Sequence, residues 1–337
     1  MSVLTQEKVI IAFKKLGKFL TGSTDALESA MYSAQNTNAW FTPENIKKSI
    51  ASFSAMLNET DIDKWFQTIN FSSSPKKIGL ILAGNIPMVG LHDVLSVLAT
   101  GNTALIKLSS TDDKLIKAIL EQLIVIEPSF QGRIEYVDRL KDFNAVIATG
   151  SNNSSRYFDY YFGKVPNIIR KNRNSVAVLD GSESFQDIKD LGADVFDYFG
   201  LGCRNVSKIY FPKGYDIARF YEGIESYQAI INHFKYNNNY DYNKSIYLVN
   251  AAKHFDNGFL LLKEDENLTS PLAVLFYEEY ENSGEVEEKL RAKAEQIQCV
   301  VTKMPLDIKS FKFGESQHPK LWDYADNVNT IEFLNSL

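Results

Sequence analysis

One of only two cysteines in the chain stands in the stretch Phe199-Gly200-Leu201-Gly202-Cys203-Arg204-Asn205-Val206-Ser207-Lys208. Cys203 follows a Gly-x-Gly turn, after a helical pattern and ahead of a strand-like run, Ser207 to Phe211. Small neighbours let a carbonyl compound approach the sulfur closely. The basic Arg204 and Lys208 would favour thiolate, the attacking form, so the setting suits a nucleophile. A lone intracellular cysteine is more often a small buried apolar residue, and Cys299, in Ile297-Gln298-Cys299-Val300-Val301, reads as one in a buried strand. Cys203 differs because Gly200 and Gly202 serve neither helix propensity nor packing.

Other candidate groups lie upstream. Gly84-Asn85-Ile86-Pro87 falls at the carboxyl end of a strand, where open α/β sheets place ligands. Asn85 fits a plain turn equally well; facing Cys203, its amide could donate to the oxygen of a tetrahedral adduct, with the Cys203 N–H as second donor. In Gly101-Asn102-Thr103-Ala104-Leu105-Ile106-Lys107-Leu108-Ser109-Ser110, a lysine and hydroxyls end the next strand. Lys107 can simply emerge there, but Lys107 and Ser110 also suit a ribose or its 2′-phosphate. No carboxylate follows Lys107 until Asp112. The group that selects an unphosphorylated ribose in many dinucleotide sites is therefore missing, and NADPH is the expected cofactor. Thr149-Gly150-Ser151 closes a strand and opens a helix whose amides could meet a phosphate or ribose.

Several classes of chemistry fail on inventory. There is no Gly-x-Gly-x-x-Gly fingerprint, P-loop or Gly-x-Ser-x-Gly elbow. The four histidines (His92, His233, His254, His318) lack metal-ligand spacing and Cys203 has no nearby cysteine, so no metal site is expected. A net charge of −6 implies no nucleic-acid surface, and 45% hydrophobic with 23% charged residues is ordinary for a soluble protein. The N-terminus lacks an apolar signal-peptide core and no window is long enough to span a membrane. With two cysteines and no secretory signal, a cytoplasmic location is expected.

The candidate groups need elements to hold them. The 337 residues suggest two α/β domains. A helical preface runs to about Ile69, with helices over 3–20 and 24–34 and a start at Thr42-Pro43. Strands then alternate with helices: Ile78–Ala83, Thr103–Leu108, Ile134–Val137 and Ala145–Thr149, with helices over 88–99, 112–125 and 152–161. That alternation implies a parallel sheet covered on both faces, a doubly wound domain. A second series predicts strands at Val176–Leu179, Ser207–Phe211, Ser245–Leu248, Gly258–Leu262 and Ala273–Phe276, and helices over 184–198, 215–230 and 284–296. Tyr236–Asn243 reads as a polar surface turn, with a place at a substrate mouth as the minor alternative. Pro166 and the basic loop Arg170–Asn174 mark the expected boundary, with the active cleft between the halves.

Taken in order, Gly-Asn-Ile-Pro, Gly-Asn-Thr-Ala-Leu-Ile-Lys, Thr-Gly-Ser and Gly-x-Gly-Cys resemble the aldehyde dehydrogenase superfamily. Arg170 to Leu179 (RKNRNSVAVL), Phe199 to Lys208 and the ending Gln317 to Asp326 narrow the resemblance to the acyl-CoA reductases of bacterial bioluminescence. The resemblance implies an aldehyde-dehydrogenase-like α/β fold of two doubly wound domains behind a helical preface. These are a cofactor-binding domain over 1–166, a catalytic domain over 167–315 and a C-terminal segment, 316–337, suited to oligomerisation. It implies Cys203 as nucleophile, Asn85 as oxyanion donor, and Lys107, Ser110, Thr149, Gly150 and Ser151 as cofactor contacts. The implied activity is NADPH-dependent reduction of fatty acyl-CoA to aldehyde through a thioester on Cys203. The partners would be acyl-CoA, further copies of the chain, and an acyl-activating or acyl-transferring subunit.

Two departures bear on the chemistry. Hydrolysing relatives carry a glutamate in a Glu-Leu-Gly-Gly motif ahead of the strand matched by Val176 to Leu179, yet nothing between Asp159 and Asp180 is acidic. Without that base, water is poorly activated against a thioester, which favours exchange with CoA over hydrolysis to acid. The Glu-x-Phe-Gly-Pro element that grips the nicotinamide ribose is represented by Asn267-Leu268-Thr269-Ser270-Pro271, with Glu266 beside it. That substitution leaves open a cysteine-dependent acyltransferase or thioesterase with a degenerate cofactor site, and a non-catalytic subunit of a fatty-acid-reducing assembly. Arg170, Lys171 or Arg173 could meet CoA phosphates; a solvated loop is the plainer reading.

Overall fold

The structure is a computed structural model that describes residues 3–22 and 24–337. The chain folds into two units, each with its own sheet. One runs to Asn172 and takes back Pro319–Leu337; the other is Arg173–His318.

In the first unit, four helices lead: α1 (Gln6–Phe19), α2 (Asp25–Thr37), α3 (Pro43–Met56) and α4 (Glu59–Phe66). Each starts where an oxygen-bearing side chain takes up an orphan amide. Thr5, Thr24, Thr42 and Asn58 accept from the third residue on, and Pro43 fills the first helical position of α3. Then follow β1 (Lys77–Ile81), α5 (Leu91–Ala99), β2 (Thr103–Lys107), α6 (Lys114–Ile126), β3 (Ile134–Tyr136), β4 (Ala145–Thr149), α7 (Asn152–Phe162) and β5 (Asn167–Arg170). The five strands form one parallel sheet in the order β3-β2-β1-β4-β5. The strand order reverses between β1 and β4, the crevice at which doubly wound folds bind ligands. α5 is buried along almost its whole length, so its sequence is nearly continuously apolar rather than striped.

The second unit contains β6 (Asn174–Val178), α8 (Phe185–Phe196), β7 (Val206–Pro212), α9 (Ile217–Gly223), α10 (Phe234–Val249), β8 (Phe255–Asp256), β9 (Leu261–Glu264), β10 (Val274–Tyr280), α11 (Ser283–Ala292) and β11 (Ile297–Thr302). Its sheet order is β11-β6-β7-β10-β9-β8, parallel except for β8 against β9. Alternate residues feed separate cores. Ala177, Ile209, Phe211 and Leu275 join one with α8 and α9, while Val176, Val178 and Tyr210 join another with α11. Both faces are therefore covered, as the expected doubly wound architecture requires. The chain ends in α12 (Thr330–Asn335), whose Ile331 and Leu334 join the core of the first unit.

Five expectations differ from what folds. The boundary lies after Asn172, within the expected basic loop Arg170–Asn174 but beyond Pro166, because Asn167–Arg170 pairs with β4 and extends the first sheet. The ending is not a separate segment: Pro319–Leu337 belongs to the first unit. Ser245–Leu248 is helical, and Tyr236–Asn243 is no surface turn; both lie in α10. Tyr236, Tyr240, Asn243 and Tyr247 are buried there at helical spacing, with the Tyr236 hydroxyl donating to the Phe259 carbonyl at 3.0 Å. Polar composition hid an aromatic stripe. Finally, the strand expected from Gly258 begins at Leu261, because Asn257 Oδ1 accepts from the Phe259 and Leu260 amides (3.2 and 2.9 Å) and turns the chain first.

Candidate active site

Cys203 lies between the end of α8 and the start of β7, in the second unit. The route there is conformationally costly: Tyr198 (φ 53°), Phe199 (φ 59°) and Gly200 (φ 76°) are consecutively left-handed. Only the glycine adopts that region without penalty, the others at about 1 kcal/mol or more each. Phe199 is compensated by packing on His233, ring centroids 4.2 Å apart.

The residue that holds this turn is Asn205, which sequence reasoning passed over. It is 3% exposed. Its Nδ2 donates to the carbonyls of Asp194 (3.1 Å) and Asp197 (2.8 Å), and its Oδ1 accepts from the Gly202 amide at 2.8 Å. One side chain thus closes the frayed end of α8 and fixes the backbone immediately before the cysteine. Ser175 Oγ, from β6, donates to the Cys203 carbonyl at 2.9 Å. Cys203 is half-buried, while Cys299 is 2% exposed in β11, as its apolar context implied.

The expected electrostatic support for a thiolate is not supplied by Lys208. Its side chain points into the protein, where Nζ pairs with Glu278 and donates to the Asp265 carbonyl at 2.7 Å. Burial lowers its pKa, and Glu278 opposes that shift. A cation so closely matched projects little field onto a neighbouring turn. Arg204 donates to Cys299 Sγ at 3.3 Å and lies over the Phe311 ring.

Lys208 instead anchors a loop. Together with Ser207 Oγ, which donates to the Leu268 carbonyl at 2.7 Å, it ties residues 265–268 to β7, the strand that follows Cys203. A cavity of about 70 Å³ lies beside this junction, lined by Phe199, Gly200, Val206, Ser207, Ser270 and Pro271 among others.

The remaining candidates belong to the first unit, at the carboxyl ends of β2, β1 and β4. Asn85, Lys107, Ser110 and Ser151 are exposed, and Thr149 and Gly150 half-buried. Ser151 caps α7 by accepting from Ser154 N at 3.3 Å. These groups follow the carboxyl ends of three neighbouring strands of one sheet, Asn85 and Thr149–Ser151 flanking the point where the strand order reverses and Lys107 and Ser110 one strand further out. Arg170 is not a phosphate ligand in this arrangement. It is 4% exposed, pairs with Asp93 and donates to Thr330 Oγ1 at 3.0 Å, clasping α12.

A family model for acyl-CoA reductase (LuxC) matches residues 14–198, more than half of the chain. The chain belongs to the LuxC acyl-CoA reductase family. It is accordingly an enzyme of the acylating aldehyde dehydrogenase kind. The family match runs from within α1 through α8 of the second unit and ends five residues before Cys203. Among solved structures, aldehyde dehydrogenase 21 of Physcomitrella patens, in complex with the reaction product succinate, is similar with a TM-score of 0.68 at 12% identity. That similarity covers 98% of this chain and 84% of that one. An NADP-dependent enzyme of E. coli gives a TM-score of 0.65 at 14% identity over 89% of this chain and 73% of that one. Indole-3-acetaldehyde dehydrogenase AldA of P. syringae, in complex with NAD+, gives 0.65 at 11% identity over 91% and 74%. Identities this low establish the aldehyde dehydrogenase fold for this LuxC family member. No curated protein matches it in sequence.

Proposed function

We propose that the chain reduces a fatty acyl-CoA to the aldehyde with NADPH, through a thioester on Cys203. The observation that carries this reading is the Cys203 turn, costly in backbone conformation and fixed by Asn205 at the amide just ahead of the cysteine. The Cys203 sulfur attacks the acyl-CoA carbonyl, a new C–S bond forms, and CoA leaves with the thiol proton. Reduction of the enzyme-bound thioester gives a thiohemiacetal, whose C–S bond breaks to release aldehyde and restore the thiol. Asn85 and the Cys203 amide would donate to the oxyanion in both stages.

The first unit fits a dinucleotide. Its strand order is that of a nucleotide-binding sheet, and exposed Lys107 and Ser110 stand at the carboxyl edge with Thr149, Gly150 and Ser151. NADPH, when bound, supplies the hydride. The phosphorylated form is favoured because Asp112, the first carboxylate after Lys107, is buried and accepts from the Met88 amide at 2.6 Å, so it is not offered to a ribose hydroxyl at the edge.

Incubation with palmitoyl-CoA in the absence of NADPH should give an acylated protein by intact mass, and Cys203→Ala should give none. An adduct of equal yield in the variant would remove Cys203 from the reaction. Acid rather than aldehyde as the product of the full reaction would instead favour a thioesterase.

A further inference from the structure

The cavity beside the Cys203 turn lies wholly within the second unit. Among the described residues that line it, none carries a charge, and only Ser207, Ser270 and Tyr236 carry a polar side chain. Each of those three hydroxyls already donates elsewhere. Ser207 donates to the Leu268 carbonyl at 2.7 Å, Ser270 to the Val274 carbonyl at 2.6 Å and Tyr236 to the Phe259 carbonyl at 3.0 Å. An amide-bearing group, such as the pantetheine arm of CoA or a nicotinamide, would meet no unspent side-chain donor among them. The space therefore suits hydrocarbon.

The wall also has a direction. Phe196, Leu260 and Leu275 are buried and close one end, whereas Gly200 and Pro271 are exposed and Leu272 is half-buried. The open end is thus formed by the Cys203 turn and the loop ahead of β10. A Cβ on Gly200 would stand 4.0 Å from Leu272 Cδ1, so these two residues face each other at the mouth. Phe199 (φ 59°) and Ala273 (φ 63°), one from each of the two segments, hold left-handed backbone that only glycine adopts freely. Walls that would gain contacts by closing on an empty apolar space instead keep it open, at a conformational cost.

We infer that this cavity receives the far end of the fatty acyl chain held on Cys203, and so selects the chain by length. The inference rests on the reading of Cys203 as the acylated nucleophile. Gly200 stands three residues before Cys203, a separation of at most about 11 Å. With C–C bonds of about 1.5 Å, an extended chain of roughly eight carbons spans it. An apolar cavity of about 150 Å³ takes a benzene ring, so about 70 Å³ takes about three carbons more. Chains of about eleven carbons or longer reach the closed end, and those of about eight or fewer stop at the mouth.

Acylation without NADPH, followed by intact mass, separates chain recognition from reduction. In the wild-type protein the second-order rate constant for dodecanoyl-CoA should exceed that for octanoyl-CoA by roughly fiftyfold, about fourfold for each of about three buried methylenes. Leu272→Trp should cut that ratio by about tenfold or more, and Leu272→Ala should move the preference towards longer chains. The backbone there stays held in both variants, because the Leu272 carbonyl accepts from Asn243 Nδ2 at 2.9 Å. A dodecanoyl chain with a diazirine at its far end, photolysed after transfer to Cys203 of the wild-type protein, should label residues within 196–200 or 270–275. Labelling confined to other segments overturns the inference, and needs no variant to fold. So does a Leu272 substitution that raises KM for NADPH while leaving the chain-length ratio as it was, since the cofactor would then be the occupant. Equal rates for the two chain lengths also overturn it, with the Cys203 thioester left standing. No adduct from either acyl-CoA would bring down the thioester and this inference together.

Discussion

The two turns that carry the proposed reacting groups are secured by opposite means. The Gly84–Gly90 turn is fastened from outside by Ser49, Thr111 and Asp112, which reach it from α3 and from the loop after β2. The turn at Cys203 is fastened chiefly from within, since Asn205 binds carbonyls at the end of α8 and the amide just ahead of the cysteine. In the first arrangement the backbone at Gly84, Pro87 and Met88 is held by side chains other than Asn85, which is itself exposed. The second makes the chemistry and the local fold share one buried amide. Function and stability should therefore separate in the first turn and travel together in the second.

The largest expected effect lies at the sulfur. Cys203→Ala should lower NADPH-dependent aldehyde formation by roughly four orders of magnitude or more, with little change in melting temperature, because a half-buried thiol contributes little to the core. A residual rate within roughly tenfold of wild type would move the nucleophile elsewhere. Asn85→Ala should come next, with turnover down by roughly 10²–10³-fold, the usual loss for one oxyanion donor, and stability within about 0.5 kcal/mol. Loss of stability without loss of turnover at Asn85 would reverse the contrast between the turns.

Asn205→Ala should couple the two properties. Removing its amide leaves buried carbonyls of Asp194 and Asp197 and the Gly202 amide without that partner, a cost of about 3 kcal/mol in urea unfolding. Turnover should fall with it, because the backbone before Cys203 loses its anchor. Asn205→Asp is the sharper probe. It keeps an acceptor for Gly202 but sets a carboxylate oxygen against the carbonyls, so it should be at least as destabilising as alanine.

How much of this was legible in the sequence follows the same division. Local signals read well: Thr42-Pro43 marks the start of α3, and Ala145–Thr149 coincides with β4, because capping and strand periodicity are short-range. What escaped were partners distant in sequence. Lys208 looked like a thiolate-stabilising charge until Glu278, seventy positions away, accounted for it. Asp112 registered only as a carboxylate, since its bond to Met88 joins different loops. Asn205 lay within the motif itself, two residues from the cysteine, and could have been found from the general rule that a polar amide after a glycine turn closes a helix end. The α10 tyrosines show the converse failure, in which an asparagine-rich composition outweighed a spacing that was present throughout.

The smallest effect concerns the helix that leads into the Cys203 turn. Asp194, on α8, is fully buried and accepts from the amides of Gly314 (2.7 Å) and Ser316 (3.0 Å). Burial nonetheless pushes its carboxyl up to about 6, against about 3.9 in an unfolded chain. Across that interval the folded protein binds more protons than the unfolded one. The stability contributed by Asp194 therefore falls as pH rises from about 4 to about 6, and stays low above it. Asp194→Asn cannot titrate, but its NH2 leaves one of the two amides facing a donor. The variant should thus be clearly less stable than wild type at pH 5, and the gap should narrow by about 1.4 kcal/mol by pH 8. Urea unfolding at the two pH values measures this directly. A gap that widens towards pH 8 would mean that ionised Asp194 is favoured by its two amides more than burial penalises it. The end of α8 would then be held by a charge reaching Gly314 and Ser316, and the Cys203 turn would no longer be secured chiefly from within by Asn205.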